Sequence, residues 1–458
     1  MHPIRWVNER LGVGSVIRGF LDRPIPANVG WLNTLGSATL FLIIVQITTG
    51  IGLSLYYVPS ADHAYDSILH IDALAFGAFV RGVHHWSASA LVVLIGLHTL
   101  RVFLQAAYKY PRELTWIVGA ILFVVMLGFA FTGYLLPWDQ KAYWATVVGT
   151  NVAGSAPLIG GFVLTLMRGG AALTTETLTR FYGVHIWVLP ATLLLGVGMH
   201  LFMVIRQGIA AAPRRKAIVE DVPGECQRDR YAREYAAEKR EGHPFYRSLL
   251  KDVIVAVVIM VAVGMLAIVV GAPLDAKADP NSVGYVPRPE WYFLDMFQML
   301  WYVSGPAEPL IIFLVGTTGF LVFLILPFID RSRARHPRQR PIATALGVLA
   351  IVGVVGLTFQ GAMAPTASTD TTVQVDTSAL TTSQVAGLKV YRVEGCGSCH
   401  MLAGHGGTAG PDLSHIAARL TGDQIQQQIL KPKDKMPPYA DISPDDMASL
   451  LGFLSTMK

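Results

Sequence analysis

Residues 82–100 read GVHHWSASALVVLIGLHTL, and residues 181–205 read FYGVHIWVLPATLLLGVGMHLFMVI. Neither stretch holds an acid, a lysine or an arginine, yet each carries two widely spaced histidines: His84 and His98 in the first, His185 and His200 in the second. At about 1.5 Å per residue both are long enough to cross roughly 30 Å of hydrocarbon. Ionisable side chains inside such a span are functional candidates by default. The first pair is fourteen residues apart and the second fifteen, which is about 40° short of four full turns and about 60° past them. Each pair therefore shares one helix face, its members separated by roughly 21 to 22 Å along the axis. His85 points about 100° away from His84 and reads as a polar neighbour.

The rest of the chain fits a membrane protein. Of 458 residues, 52% are hydrophobic and 15% charged, and the mean hydropathy is +0.46. That balance excludes a disordered, collagen-like or nucleic-acid-coating chain. Seven uncharged stretches are of spanning length: 35–58, 82–100, 114–138, 181–205, 253–274, 309–329 and 341–360, called A to G. The first begins only after Arg5, Arg10, Arg18 and Arg23 and reads as a retained anchor. An eighth stretch, 142–167, is interrupted by Gly149, Gly154, Pro157, Gly160 and Gly161 and reads as short helices on the outer surface. With seven spans and the N-terminus inside, inner segments hold 23 Lys/Arg and outer loops 6, so the net charge of +5 resolves into a strong positive-inside bias.

Spans B and D are separated by one span and so run in the same direction. Packed together, they pair His84 with His185 near the outer surface and His98 with His200 near the inner one. Two stacked bis-imidazole sites suit two non-covalent b-type haems, whose iron takes an axial nitrogen from each side. Glycines repeat the spacing: Gly36 and Gly50 in A, Gly119 and Gly133 in C, both fourteen apart. Glycine lets a backbone approach a flat macrocycle closely, and membrane helices also use it for packing. Arg81 and Arg101, at the two ends of B, suit haem propionates as well as they suit lipid headgroups.

An odd number of spans puts the C-terminus outside, and residues 366–383 hold ten Ser/Thr in eighteen positions, a flexible polar linker. A soluble domain follows. It opens with Cys396-Gly397-Ser398-Cys399-His400, the attachment string of c-type haem, in which two thiols form thioethers and the histidine is an axial ligand. Met436, in Lys435-Met436-Pro437-Pro438-Tyr439, resembles the methionine loop of small class I cytochromes c and is the expected second ligand. Gly410-Pro411-Asp412-Leu413 matches that family too, with the Pro411 carbonyl as partner for the His400 ring N–H. Met401 adjoins His400 and cannot reach its opposite face, and Met447 reads as core.

The strings RGVHHWSAS from Arg81, PRELTW from Pro111, GYLLPWDQ from Gly133, RFYGVH from Arg180 and PEWY from Pro289 carry a resemblance to cytochrome b of the bc-type quinol:cytochrome c oxidoreductases. It covers residues 1 to about 363 and is closest to the photosynthetic branch, with the two parts split there joined here through the basic loop before E. One departure stands out. Thr34 occupies the place where that branch attaches a third haem through cysteine, so a covalent haem is excluded there and a non-covalent one stays open.

The resemblance implies an all-α membrane protein: seven transmembrane helices with a haem-binding four-helix bundle, plus a small all-α cytochrome c domain. Its expected divisions are 1–215, 216–363, a linker at 364–383, and 384–458. It also implies a Q-cycle, in which quinol is oxidised outside, one electron passing to a Rieske iron–sulfur protein and the other crossing the two b haems to reduce quinone inside, with protons moving outward. Glu290 is the expected proton acceptor, since a partly desolvated carboxylate suits a general base, and an ion pair with Arg288 is the plain alternative. Tyr292, with Tyr134 and Gly149, would line that pocket. On the inside, Arg206 and the Asp22-Arg23 pair suit a quinone or simply the membrane boundary. The Rieske protein is expected to be another chain, because Cys396 and Cys399 are committed and Cys226 lies inside. A cytochrome c acceptor, the membrane lipid and quinone complete the expected partners, with homodimerisation carried over from the family and no nucleic acid. The expected setting is a bacterial-type inner membrane with the tail in the periplasm. The rival reading is a haem relay or redox sensor without quinol bifurcation, against which the Pro-Glu-Trp-Tyr string speaks.

Overall fold

The computed structural model describes residues 3–170, 172–214, 222–280, 288–303, 308–364, 377–407, 410–432, 436, 439 and 442–458. The chain divides into two compact units: Met1–Pro137, Met167–Leu274 and Gly316–Ile351 form the first, and Trp138–Leu166, Asp275–Val315 and Val352–Lys458 the second.

Two short helices, α1 (Pro3–Leu11) and α2 (Val13–Leu21), lead into α3 (Leu35–Ser54). After α4 (Ala64–Ala73) come α5 (Gly77–Leu104) and α6 (Glu113–Leu135), then α7 (Gln140–Gly154), α8 (Gly160–Arg168), α9 (Thr175–Gly183) and α10 (Leu189–Gln207). The polar helix α11 (Gln227–Arg240), α12 (Tyr246–Val269), α13 (Leu294–Tyr302), α14 (Glu308–Leu324), α15 (Leu326–Ile329) and α16 (Pro341–Met363) complete the membrane part. Hydrocarbon offers the backbone no partners, so uncharged runs of this length satisfy their N–H and C=O groups internally as helices. Among the described residues six helices are long and apolar enough to cross a membrane: Trp31–Ser54, Gly77–Leu104, Glu113–Leu135, Thr175–Gln207, Tyr246–Val269 and Pro341–Met363. The chain is a multi-pass membrane protein.

These six coincide with expected spans A to E and G. The expected seventh, F, contains a shorter apolar helix, Leu310–Leu324. Helix α14 stops at Leu324 and α15 restarts at Leu326 with Pro327 in its first turn, a residue that has no N–H to continue the ladder. Residues 142–167 fold largely as α7 and α8, of 15 and 9 residues, neither of spanning length.

Helix α10 does not follow α9 as plain α-helix. Residues Val184–Val188 form a π-turn, with Leu189 N–H bonded to Val184 O, immediately before Pro190. A π-turn accommodates one extra residue. It absorbs the fifteenth residue between His185 and His200, so the helix presents both as a regular fourteen-residue spacing would.

Halfway between the histidine levels, Leu42 and Ile43 of α3, Leu91 of α5 and Leu193 of α10 are buried together, with Leu122, Val125 and Met126 of α6 packed around them. Helix α12 docks on α5 where a Cβ on Gly82 would lie 2.9 Å from that of Ala267, next to buried Val83 and Val263. Small residues allow this close approach of membrane helices. In the loops after α5 and α15, Asp330 accepts from Tyr108 Oη at 2.5 Å, from Lys109 Nζ at 2.9 Å and from Arg340 at 3.0 Å.

The C-terminal region is held by α17 (Thr382–Val393), α18 (Cys396–Cys399), α19 (Ile416–Arg419), α20 (Gly422–Leu430) and α21 (Pro444–Leu454). Thr381, Thr421 and Ser443 cap three of these helices through their hydroxyls. Leu388, Tyr391, Leu402, Ile416, Ile429, Met447, Leu450 and Phe453 form a separate core. A Cβ on Gly387 would collide with the Ser449 carbonyl, so glycine is what permits α17 to cross α21. Most of the expected linker, 365–376, lies outside the described residues.

Candidate functional site

The four spaced glycines meet the four spaced histidines one to one. A Cβ built on Gly50 would lie 3.3 Å from Cε1 of His84, on Gly36 3.2 Å from His98, on Gly119 3.3 Å from His200 and on Gly133 2.6 Å from His185. Helix α3 thus cradles the rings of α5, and α6 those of α10. The room that glycine leaves is occupied by imidazole. His84 and His185 lie within electrostatic reach of each other, as do His98 and His200, the pairing that parallel α5 and α10 require.

At the level of His84 and His185 the ring orientation is set by hydroxyls. Thr49 Oγ1 is 2.8 Å from His84 Nδ1 and 2.8 Å from the Val45 carbonyl. Thr132 Oγ1 is 3.0 Å from His185 Nδ1 and 2.7 Å from the Gly128 carbonyl. A hydroxyl has one proton; donating it to the carbonyl, each threonine accepts from the ring. Nδ1 therefore carries the proton and Nε2 keeps its lone pair for a metal. The Thr-Gly dipeptides at 49–50 and 132–133 were a sequence signal for this. The residues before Gly36 and Gly119, Leu35 and Val118, have no hydroxyl.

This donor set fits haem: glycine cradles that any Cβ would narrow, a fixed tautomer at His84 and His185, and an unpartnered buried donor, Arg101 Nε, on a guanidinium whose Nη2 bonds the Ala210 carbonyl at 2.8 Å. Arg81 is engaged within the protein. Its fork binds both oxygens of Asp72, at 2.6 and 2.7 Å, and the Ala272 carbonyl at 2.8 Å, closing the loop before α5. His85 packs edge-on against Trp86. Arg23, an inner-side candidate, is stacked on Phe20 and Phe245.

In the second unit, Glu290 opens a single 3-10 turn, Trp291–Phe293, its carbonyl accepting from Phe293 N–H. Arg288 turns away to the carbonyls of Ala362 and Ala364. The partner of Glu290 is Lys141, with Nζ 2.7 Å from Oε1, a residue that sequence reasoning passed over. Burial, then the negative charge of Glu290, push the Tyr292 phenol above its ordinary value, so it stays a neutral hydroxyl. Gly149 belongs to this unit, Tyr134 to the first.

In the tail, Cys396 and Cys399 are free thiols on one helical turn. His400 Nδ1 donates to the Pro411 carbonyl at 2.8 Å, as the sequence suggested, which frees Nε2 for a metal. A side chain on Gly410 would collide with the His400 ring. Met436 packs against the domain core, and Met447 lies within it. Lys435, Pro437 and Pro438 are outside the described residues. These donors fit a covalently attached haem.

Comparison with known proteins agrees with this layout. Residues 20–208 match the family model "Cytochrome b/b6/petB". Over 214 residues the chain is 44% identical to a menaquinol:cytochrome c reductase cytochrome b subunit of Geobacillus thermodenitrificans, covering 45% of this chain and 96% of that one. The chain belongs to the cytochrome b/b6 family. Another cytochrome b/b6 relative, the cytochrome b6 of Heliobacterium mobile, is 41% identical over 210 residues, 45% of this chain and 99% of its own. Beyond the cytochrome b/b6 part, residues 277–380 match "Cytochrome b(C-terminal)/b6/petD" and residues 383–454 match "Cytochrome C oxidase, cbb3-type, subunit III". A solved structure titled "Hyperthermophilic respiratory Complex III" superposes with a TM-score of 0.68 at 28% identity, over 79% of this chain and 92% of that one. Cytochrome b and cytochrome c domains in one chain imply haem as cofactor.

Proposed function

We propose that this cytochrome b/b6-family chain is the cytochrome b/c fusion subunit of a quinol:cytochrome c oxidoreductase, working by a Q-cycle coupled to proton translocation. The observation that carries the reading is the pair of stacked histidine levels in one bundle, each ring backed by its own glycine. The Geobacillus relative is named a menaquinol:cytochrome c reductase subunit, which supports menaquinol as the quinol.

In this reading His84 and His185 hold an outer b haem, His98 and His200 an inner one. Cys396 and Cys399 would attach a c haem, with His400 and Met436 as its iron ligands. When bound, these groups supply one-electron transfer. Residues 1–215 carry the b haems, 216–363 complete the quinol site, 364–383 link, and 384–458 form the cytochrome c domain. Helices α14 and α15 together supply the seventh span. Thr49 and Thr132 hold the outer rings in the tautomer that offers Nε2, and Arg101 offers its orphaned N–H to a propionate. Glu290 takes a proton from the quinol hydroxyl, with the Tyr292 hydroxyl beside it as a neutral donor. A Rieske protein, supplied as a separate chain, and a cytochrome c acceptor complete a complex in an inner membrane, its c domain on the periplasmic side, assembled as a homodimer as in the family.

Purified complex should give two b haems per c haem in a pyridine haemochrome spectrum and should reduce cytochrome c with quinol. Any other haem ratio, or full turnover with Glu290→Gln, breaks this assignment.

A further inference from the structure

Beside Glu290 stands a cation that none of the recognised motifs singles out for a role. The Lys141 side chain is 32% exposed and that of Glu290 14%, at a 2.7 Å separation. Lys141 arrives there through a stitched junction. Asp139 caps α7 by accepting from Ala142 N–H at 2.8 Å, and its other oxygen accepts from Asp275 N–H at 3.0 Å. Gln140 N–H donates to the Ala276 carbonyl, and Ala278 N–H to that of Trp138. These bonds fix the first turn of α7 against the segment after α12, with Lys141 two residues past the cap. Among the described residues, charged or titratable groups around the pair include Tyr292, within reach of Glu290, Asp139, within reach of Lys141 and of Asp275, and Lys277, joined to Asp139 by a backbone β-bridge. Arg288 is bonded elsewhere.

We propose that Lys141 is a positioning residue for quinol deprotonation: its ammonium clamps the Glu290 carboxylate in place, and the proton that Glu290 then accepts weakens the clamp and frees the carboxyl group to turn away. This inference rests on the reading of Glu290 as proton acceptor. The step is a proton transfer: a quinol O–H bond breaks, its electron pair stays on the quinol oxygen, and an O–H bond forms on the Glu290 carboxylate. Before transfer the ammonium and carboxylate charges cancel through a charge-assisted hydrogen bond; afterwards the ammonium faces a neutral acid and that bond loses much of its strength. Arming and release thus need no further residue.

The test is the pH profile of quinol:cytochrome c turnover in the purified complex, with haem spectra as the assembly control. With the cation 2.7 Å from the carboxylate removed, Lys141→Met should move the acidic limb of turnover to higher pH, and Lys141→Arg should leave it in place. A structural role alone would lower turnover at every pH without moving the limb. Lys141→Gln serves the same comparison if the methionine variant lacks haem. An acidic limb that stays at its wild-type position overturns the proposal. If Glu290→Gln is crippled while that limb stays put, only the role of Lys141 fails; if Glu290→Gln turns over normally, the proton-acceptor reading fails with it.

Discussion

Gly133 and His185 approach so closely that a Cβ on the glycine would come within 2.6 Å of the ring carbon Cε1. Because Thr132 holds the same ring at Nδ1, the imidazole cannot simply swing aside. Gly133→Ala should therefore cost about 1–3 kcal/mol of strain and weaken the outer b site. Gly50→Ala, with 3.3 Å available, should be milder. Haem b content of the two purified variants checks the order, and equal retention would contradict it.

The threonine hydroxyls make a second difference between the levels. Accepting the Nδ1 proton raises the basicity of a ligating imidazole, and loss of such a partner typically costs 10–100-fold in metal affinity or activity. Thr132→Val should raise the midpoint potential of the outer b haem and leave the inner one in place, as read by redox titration of the two b bands.

Deletions in the two histidine helices should behave differently. Removing Val188 should erase the π-turn and leave His185 and His200 fourteen apart on one face, with both b haems retained. Removing Val92 from α5, which has no such slack, rotates His84 by about 100° relative to His98 and should abolish one b site. Haem stoichiometry of the two deletions distinguishes them.

Asp330 gathers Tyr108, Lys109 and Arg340 while only 7% exposed. Burial opposes its charge, but hydrogen bonds from Tyr108 and Lys109, with the lysine's charge, hold its carboxyl below the ordinary aspartate value. A depressed folded pKa gives stability that is complete above the unfolded value of about 3.9 and drains away as pH falls through the folded one. Asp330→Asn should cost about 3–5 kcal/mol near neutrality, and the gap in thermal stability from wild type should shrink in strong acid. A constant gap across pH would refute the network's role.

Six of the spans and the His400–Pro411 bond were legible because apolar runs and a contiguous motif are signals along one dimension. Lys141 was not, since it meets Glu290 across 149 residues through a junction no periodicity announces. The partner of Arg81 was hidden for a related reason: its position at a span end says nothing of Asp72, nine residues earlier, which the turn before α5 brings under the guanidinium. The expected seventh span was judged on composition, which does not show the break between α14 and α15 ahead of Pro327.

In the proposed Q-cycle, the two histidine levels that flank the buried layer of Leu42, Leu91 and Leu193 would set how much of the membrane voltage the protein works against. An electron passing between them would travel roughly 21 Å of a core of about 30 Å and so cross about two thirds of the field. At about 2.3 kcal/mol per elementary charge per 100 mV, an interior-negative potential opposes each inward crossing by about 1.5 kcal/mol per 100 mV. Helix geometry alone thereby sets the back-pressure that an energised membrane exerts on turnover.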